Sequence, residues 1–180
     1  MTGRWGDDMN LYSKYAKFEE ILSKIEMIIV IVAFTAIFIT VAEQVFQRFL
    51  NLPIPDTSEI SMVSQAVFTF LCVSMLVFSG DHITIEAQKM IKNKSILFIV
   101  DIIAYICQLG FAAIFLWLGY DLLMFSIQSG SATTALRVPL WIPYGALFLG
   151  LIILIIHTIG AIWKMFYKQK NPSNYMDLES

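Results

Sequence analysis

The chain contains two histidines, His82 and His157, and the groups near them define the chemistry that the sequence offers. Asp81 and Glu86 flank His82, so two carboxylates and one imidazole lie close together. Such a group could bind a metal ion or relay protons. Without a second histidine or a cysteine it is a weak set of metal ligands. We therefore favour hydrogen bonding for His82 and predict no metal site.

His157 is the other candidate, because it lies inside a long apolar stretch. An ionisable residue in such a place is a functional candidate by default, yet a hydrogen bond between helices explains it equally well. Both interpretations stay open. The two histidines fall at different depths, so a haem held by two imidazoles is not expected. Cys72 and Cys107 lie in separate apolar stretches without CxxC spacing, so neither a disulfide framework nor a redox motif is indicated. We expect both to be packing residues. We predict no catalytic group and no cofactor.

Long uncharged stretches must position these residues. The sequence is 58% hydrophobic and 14% charged, whereas about a quarter of a typical soluble domain is charged. Four long stretches of the sequence contain no charged residue. Apolar residues continue beyond the first of these stretches as far as Leu50. About 20 apolar residues suffice for a helix to cross a bilayer, and the period-two alternation of membrane strands is absent. We predict an all-α integral membrane protein with four transmembrane helices, at about residues 27–50, 60–80, 98–125 and 138–163.

The basic residues predict the orientation of these spans. Ten of the twelve lie before the first span, between the second and third, or after the fourth. Only Arg48 and Arg137 lie in the other two loops. Because Lys and Arg are retained in cytoplasmic loops, we expect both termini in the cytoplasm. The apolar stretch begins after 26 residues with no cleavage pattern behind it, so we expect the first span to be retained.

An amphipathic segment precedes the first span. Its apolar residues recur at steps of three and four and fall on one stripe of a helix: Leu11, Tyr15, Phe18, Leu22 and Ile25. This pattern predicts an interfacial helix over about residues 11–25. The chain then divides into an N-terminal tail (1–10), a four-helix membrane domain (11–170) and a cytoplasmic tail (171–180).

Acidic residues inside the spans lie near the span ends: Glu43, Glu59, Asp101 and Asp121. A transporter that works alone would be expected to carry an ionisable group near the middle of the membrane or broken helices around a substrate site. Neither feature is evident in this sequence. Gln108 and the small-xxx-small pair Ala146 and Gly150 instead predict association between helices.

Three short patterns stand out: Glu59 at the start of the second span, Gly80, His82, Ile83, Ile85 and Glu86 after it, and Pro139, Trp141 and Pro143 at the start of the fourth. Together they resemble the small membrane subunit (Q-type, DctQ-like) of the tripartite ATP-independent periplasmic, or TRAP, transporters of bacteria. The resemblance extends over about residues 22–167, and the order of spans is similar. Glu86 replaces the family's usual aspartate, and Ser79 stands where a basic residue is common.

The resemblance implies a subunit without enzymatic activity in the bacterial inner membrane. Its implied partners are a large (M-type) permease subunit and a periplasmic (P-type) solute-binding protein, besides membrane lipid, and no nucleic acid. The large subunit would hold the substrate and the coupling sodium ions, and the substrate would be an organic anion such as a C4-dicarboxylate, another carboxylate or sialic acid. We expect Arg48, Asp56, Glu59 and Arg137 to lie where a partner docks, since charges steer and orient docking surfaces.

A self-sufficient homodimeric transporter of four helices is the alternative. Such transporters resemble the small multidrug exporters and depend on a deep carboxylate in the first span. Glu43 lies near the end of that span instead. The sequence therefore favours a subunit of a larger transporter.

Overall fold

Four long helices make up the part of the chain that the structure describes. The computed structural model describes residues 3–51, 53, 57–79 and 94–170. Its helices are α1 (Gly3–Leu50), α2 (Ser58–Phe78), α3 (Lys94–Ser129) and α4 (Trp141–Lys170). Each is long and apolar enough to cross a membrane. Over the described ranges the chain forms no strand beyond an isolated bridge between Ala132 and Pro139. The predicted all-helical fold with four spans is confirmed.

The first helix is longer than the sequence suggested. It begins at Gly3, within the segment assigned to the tail, and continues without a break to Leu50, a length of about 72 Å. The interfacial helix expected over residues 11–25 is therefore not a separate element, because these residues and the first span share one helix. Phe18 and Ile25 from the predicted apolar stripe are exposed, whereas Glu26 on the same helix is buried.

The helices pack as a row in the order α1, α2, α4 and α3. The contact of α1 with α4 is slight. We call the end where α1 ends, α2 begins and residues 130–140 link α3 to α4 the distal end. The opposite end, where α1 begins and α4 ends, is the basal end. A row leaves two broad faces uncovered, and many large apolar side chains of α1 and α3 are exposed there.

Left-handed backbone residues end two of the helices at the distal end. Asn51 follows α1 with a φ of 49°, and Gly130 follows α3 with a φ of 61°. The Ser131 N–H donates to the Ser126 carbonyl at 3.3 Å, and the Gly130 N–H donates to Ile127. This pattern satisfies the last carbonyls of α3, and glycine adopts the required conformation without a Cβ clash.

The core lies where α4 packs between α2 and α3. Val77, Ala112, Leu151 and Leu154 are buried together. Helices α2 and α4 approach each other closely at Gly150, where an added Cβ would lie 2.8 Å from the Phe70 carbonyl oxygen of α2. The predicted role of the small residue at this position in helix association is confirmed.

Pro139 and Pro143 lie on either side of Trp141, the first residue of α4. Pro139 lies in the linking segment, where its carbonyl accepts a bond from the Ile142 N–H at 3.3 Å. The helix begins at Trp141, so Pro143 falls in its first turn. Because N–H groups of the first turn lack partners within the helix, this proline costs no hydrogen bond.

Candidate functional site

A cluster of ionisable side chains is buried where α1, α2 and α4 meet. Glu19 and Glu26 come from α1 and His157 from α4. Nδ1 of His157 lies 2.9 Å from Oε1 of Glu19, and Nε2 lies 3.0 Å from Oε2 of Glu26. One imidazole is thus held between two carboxylates.

The seven-residue spacing of the two acids explains how both reach one ring. Seven residues advance an α-helix by nearly two full turns, so Glu19 and Glu26 lie on the same face about 10 Å apart along the axis. Ser23 lies between them and is also buried. This polar stripe of α1 faces the other helices, and the apolar residues around it face outward.

Burial in the cluster is nearly complete. His157 is 0% exposed and Glu26 is 1% exposed, whereas the Glu19 side chain is 14% exposed. The Ser74 hydroxyl of α2 contacts Oε1 of Glu26 and lies 2.8 Å from the Leu71 carbonyl. Buried charge of this kind is tolerated only where it is paired and hydrogen-bonded. We call Glu19, Glu26, Ser74 and His157 the basal cluster.

Aromatic side chains and one glycine surround the basal cluster. The Phe78 ring packs on His157 with ring centroids 5.2 Å apart. The Tyr15 hydroxyl donates to the Ile156 carbonyl at 2.6 Å. Gly160 leaves room for Glu19, because a Cβ there would lie 2.6 Å from its Oε1. The N-terminal part of α1 is fixed to α4 by these contacts.

Sequence reasoning identified His157 and missed its partners. Glu19 and Glu26 precede the first apolar stretch, and the sequence analysis assigned them no role. The two acids border the predicted apolar stripe, since each lies four residues after a member of it, Tyr15 and Leu22. The available signal was the seven-residue spacing of the two acids on a long helix. Pairing them with a histidine some 130 residues later required the tertiary structure.

A second polar contact joins α3 to α4. Nε2 of Gln108 donates to the Thr158 hydroxyl at 2.9 Å, and that hydroxyl donates to the Leu154 carbonyl at 2.7 Å. Thr158 is fully buried. The prediction that Gln108 supports helix association agrees with this contact.

At the distal end, Glu59 fixes the segment between α3 and α4. Its Oε1 accepts bonds from the Ala135 N–H at 2.8 Å and the Thr134 hydroxyl at 3.2 Å. Its Oε2 accepts a bond from the Leu136 N–H at 2.7 Å. Both carboxylate oxygens are therefore engaged within the chain. Glu59 positions the adjoining loop through these bonds, in addition to its favourable place in the first turn of α2.

The loop fixed by Glu59 presents Arg137. This residue is exposed and has a φ of 54°, which is unusual outside glycine. It lines an open groove of about 650 Å³ together with Ser126, Trp141 and neighbouring loop residues. The Ser126 side chain is buried, and its hydroxyl has no hydrogen-bond partner among the residues described. Arg48 is exposed at the end of α1.

The remaining predicted positions divide between the described and the undescribed parts of the chain. Pro139 lies in the segment before α4, and Trp141 and Pro143 lie in its first turn, where Trp141 is half-exposed. The other positions lie outside the described residues: Asp56, Gly80, His82, Ile83, Ile85 and Glu86. Within the described ranges, the structure has no group of three His, Cys, Asp or Glu side chains arranged to hold a metal ion.

Comparison with known families gives one match that covers most of the chain. No curated protein matches it. The family described as the DctQ component of tripartite ATP-independent periplasmic transporters matches residues 36–167. Ser74 and His157 lie within that range, whereas Glu19 and Glu26 precede it. With its four membrane-spanning helices, the chain belongs to the DctQ family, the small membrane component of TRAP transporters.

Proposed function

We propose that this chain is the static scaffold and docking subunit of a sodium-coupled importer of an organic anion. A large permease subunit carries the substrate and sodium sites, and a periplasmic binding protein delivers the solute. The complex lies in the bacterial inner membrane, and both termini of this chain face the cytoplasm, as the distribution of its basic residues favours.

The row of helices is the observation that carries the proposal. Substrate sites of transporters are enclosed between helices near the middle of the membrane. Here α1 packs on α2, α2 on α4 and α4 on α3. Such a row offers a wall rather than an enclosed path. Its exposed apolar faces suit both lipid and a large hydrophobic partner.

The state of the buried ionisable groups supports the same conclusion. His157 is engaged by Glu19 and Glu26. A group whose hydrogen-bonding atoms are taken up by its neighbours is poorly placed to bind a passing ion. Among the described residues, this cluster therefore favours a fixed joint between helices over a transport site.

Exposed charges at the distal end support a docking role. Arg48 and Arg137 are exposed there, and Glu59 holds the loop that carries Arg137. Charged residues at the rim of an interface steer and orient the partner. They change the association rate more than the affinity. Asp56, in the same predicted loop region, belongs to this proposed surface.

Reconstitution tests whether transport requires both membrane subunits. The chain and a large TRAP permease subunit are placed in liposomes together and singly, with the binding protein outside and a sodium gradient across the membrane. We expect uptake of a labelled organic anion only when both membrane subunits are present. Uptake by this chain alone would support the homodimeric transporter instead.

Charge reversal tests the docking surface. Arg48→Glu and Arg137→Glu should reduce uptake while the two membrane subunits still purify together, and Arg137→Lys should retain most of the uptake. Unchanged uptake in both reversed variants would contradict the docking role.

A further inference from the structure

The Ser74 hydroxyl lies against two acceptors and has one proton to give. One is Oε1 of Glu26, and the other is the Leu71 carbonyl at 2.8 Å. A carbonyl oxygen cannot donate a hydrogen bond. If Ser74 donates to Leu71, the contact with Glu26 needs a proton from the carboxyl group. Both contacts are satisfied when Glu26 is a neutral carboxylic acid that donates to Ser74.

The imidazole of His157 accounts for the remaining contacts. Its two nitrogens face carboxylate oxygens at 2.9 Å and 3.0 Å. The proton of Glu26 is already directed at Ser74, so Nε2 must donate to the other oxygen of Glu26. Nδ1 then donates to Glu19, since imidazole is the stronger base and the Glu19 side chain keeps some exposure to water. His157 is thus an imidazolium ion.

This arrangement makes the basal cluster neutral. The positive charge of His157 balances the negative charge of Glu19, and Glu26 and Ser74 carry none. An isolated charge in an apolar interior is costly, whereas a neutral hydrogen-bonded set is not. Ionisation of both acids around the imidazolium would leave a net negative charge at side chains that are 0% and 1% exposed.

We propose that the basal cluster is a proton-binding site that links three helices. It holds two protons more than a cluster with both acids ionised and a neutral imidazole. One is on His157, and the other is on the Glu26 carboxyl that faces Ser74. Glu19 is the one charged acid. The protonation of this site goes beyond the scaffold role proposed above, and its tests do not depend on transport.

The groups that pack around His157 leave this assignment unchanged. On α1, Tyr15 gives its hydroxyl proton to the Ile156 carbonyl. From α2, Phe78 places an uncharged ring against the imidazole. On the side of α3, Gln108 bonds to Thr158, the next residue of α4. These neighbours neither supply nor remove a proton from the cluster.

The two acids should respond differently to replacement by glutamine. In Glu26→Gln the amide can donate to Ser74 and its carbonyl can accept from His157, so the variant should fold with unchanged stability. Glu19→Gln removes the counter-charge of the imidazolium, and we expect a loss of roughly tenfold or more in the folding equilibrium constant. Similar losses in both variants would contradict the proposal.

Infrared spectroscopy of the full chain tests the protonated acid directly. At neutral pH the wild type should show the carbonyl stretch of a carboxylic acid, shifted in heavy water. Glu26→Gln should lack this band, and Glu43→Gln, a control on the same helix, should keep it. Absence of the band from the wild type, its persistence in Glu26→Gln or failure of that variant to fold would overturn the proposal.

Nitrogen NMR of ring-labelled histidine tests the imidazolium. The chain has two histidines, so the signals of His157 are those missing from His157→Gln. Both of its ring nitrogens should carry protons at neutral pH. A signal typical of a neutral imidazole, with one unprotonated nitrogen, would overturn the assignment.

Discussion

Gly150 lies at a close crossing of α2 and α4, which makes it a sharp test of the packing. A Cβ at this position would lie 2.8 Å from the carbonyl oxygen and 3.0 Å from the carbonyl carbon of Phe70. Carbon atoms ordinarily approach carbonyl oxygens no closer than about 3.3 Å. The contacted atoms belong to the backbone of α2, so rotation of a side chain cannot relieve the contact. Gly150→Ala must therefore move α4 away from α2 by roughly 0.5 Å.

The expected cost follows from two opposing effects. Replacing glycine by alanine inside a helix favours the helix by about 0.8–1.0 kcal/mol. Overpacking of a tight interior costs about 1–3 kcal/mol. Gly145 lies on the same helix, where the nearest atom to an added Cβ is Leu123 Cδ1 at 3.9 Å. Gly145→Ala should therefore gain the helical term without the clash, and the two variants should differ by about 1–3 kcal/mol.

Unfolding of the purified full-length protein measures this difference. Both variants and the wild type are titrated from mild detergent into a denaturing one, with tryptophan fluorescence as the signal. We expect Gly145→Ala to unfold later than the wild type and Gly150→Ala to unfold earlier than Gly145→Ala. Equal midpoints for the two variants would refute the close crossing.

Three further predictions concern contacts elsewhere in the chain. Glu59→Gln should speed hydrogen exchange at the backbone N–H groups of Ala135 and Leu136, which donate to Glu59, because the glutamine side chain has one acceptor oxygen in place of two. Unchanged exchange would contradict this role. A double-mutant cycle with Gln108→Leu and Thr158→Val should give a coupling energy of about 0.6 kcal/mol, and additive effects would argue against the bond. Gly160→Ala should displace the carboxylate packed on it and lower the melting temperature, whereas Gly110→Ala, with nothing within 4 Å of the new Cβ, should not. Equal melting temperatures for these two variants would count against the packing of the basal cluster.

Part of the candidate site could be found in the sequence, because an ionisable residue in an apolar stretch is visible without a structure. His157 was identified in this way. Its partner Glu26 immediately precedes the first apolar stretch, where an acid is usually solvated. In the structure Glu26 is buried and contacts His157. Its burial depends on which face of α1 packs against the other helices, and the sequence of one segment does not specify that face.

Glu59 illustrates the same limit at the distal end. Its place at the start of the second span was evident, and the helix dipole was a sufficient explanation for it. Its bonds to Ala135 and Leu136 join segments more than seventy residues apart. No local pattern encodes such a pairing, because it results from the antiparallel packing of the helices.

The sequence by itself determined that the protein has four membrane-spanning helices, since apolar length and charge distribution are properties of each segment alone. The continuity of α1, the order of the helices in the row and the joining of Glu19, Glu26, Ser74 and His157 were decided only by the tertiary structure. The physical reason is that hydrogen bonds and close packing between helices depend on relative rotation and register. Those quantities are set jointly by all the helices in contact. Gly150 and Gly160 of α4 are examples, because they allow close contact with Phe70 of α2 and Glu19 of α1.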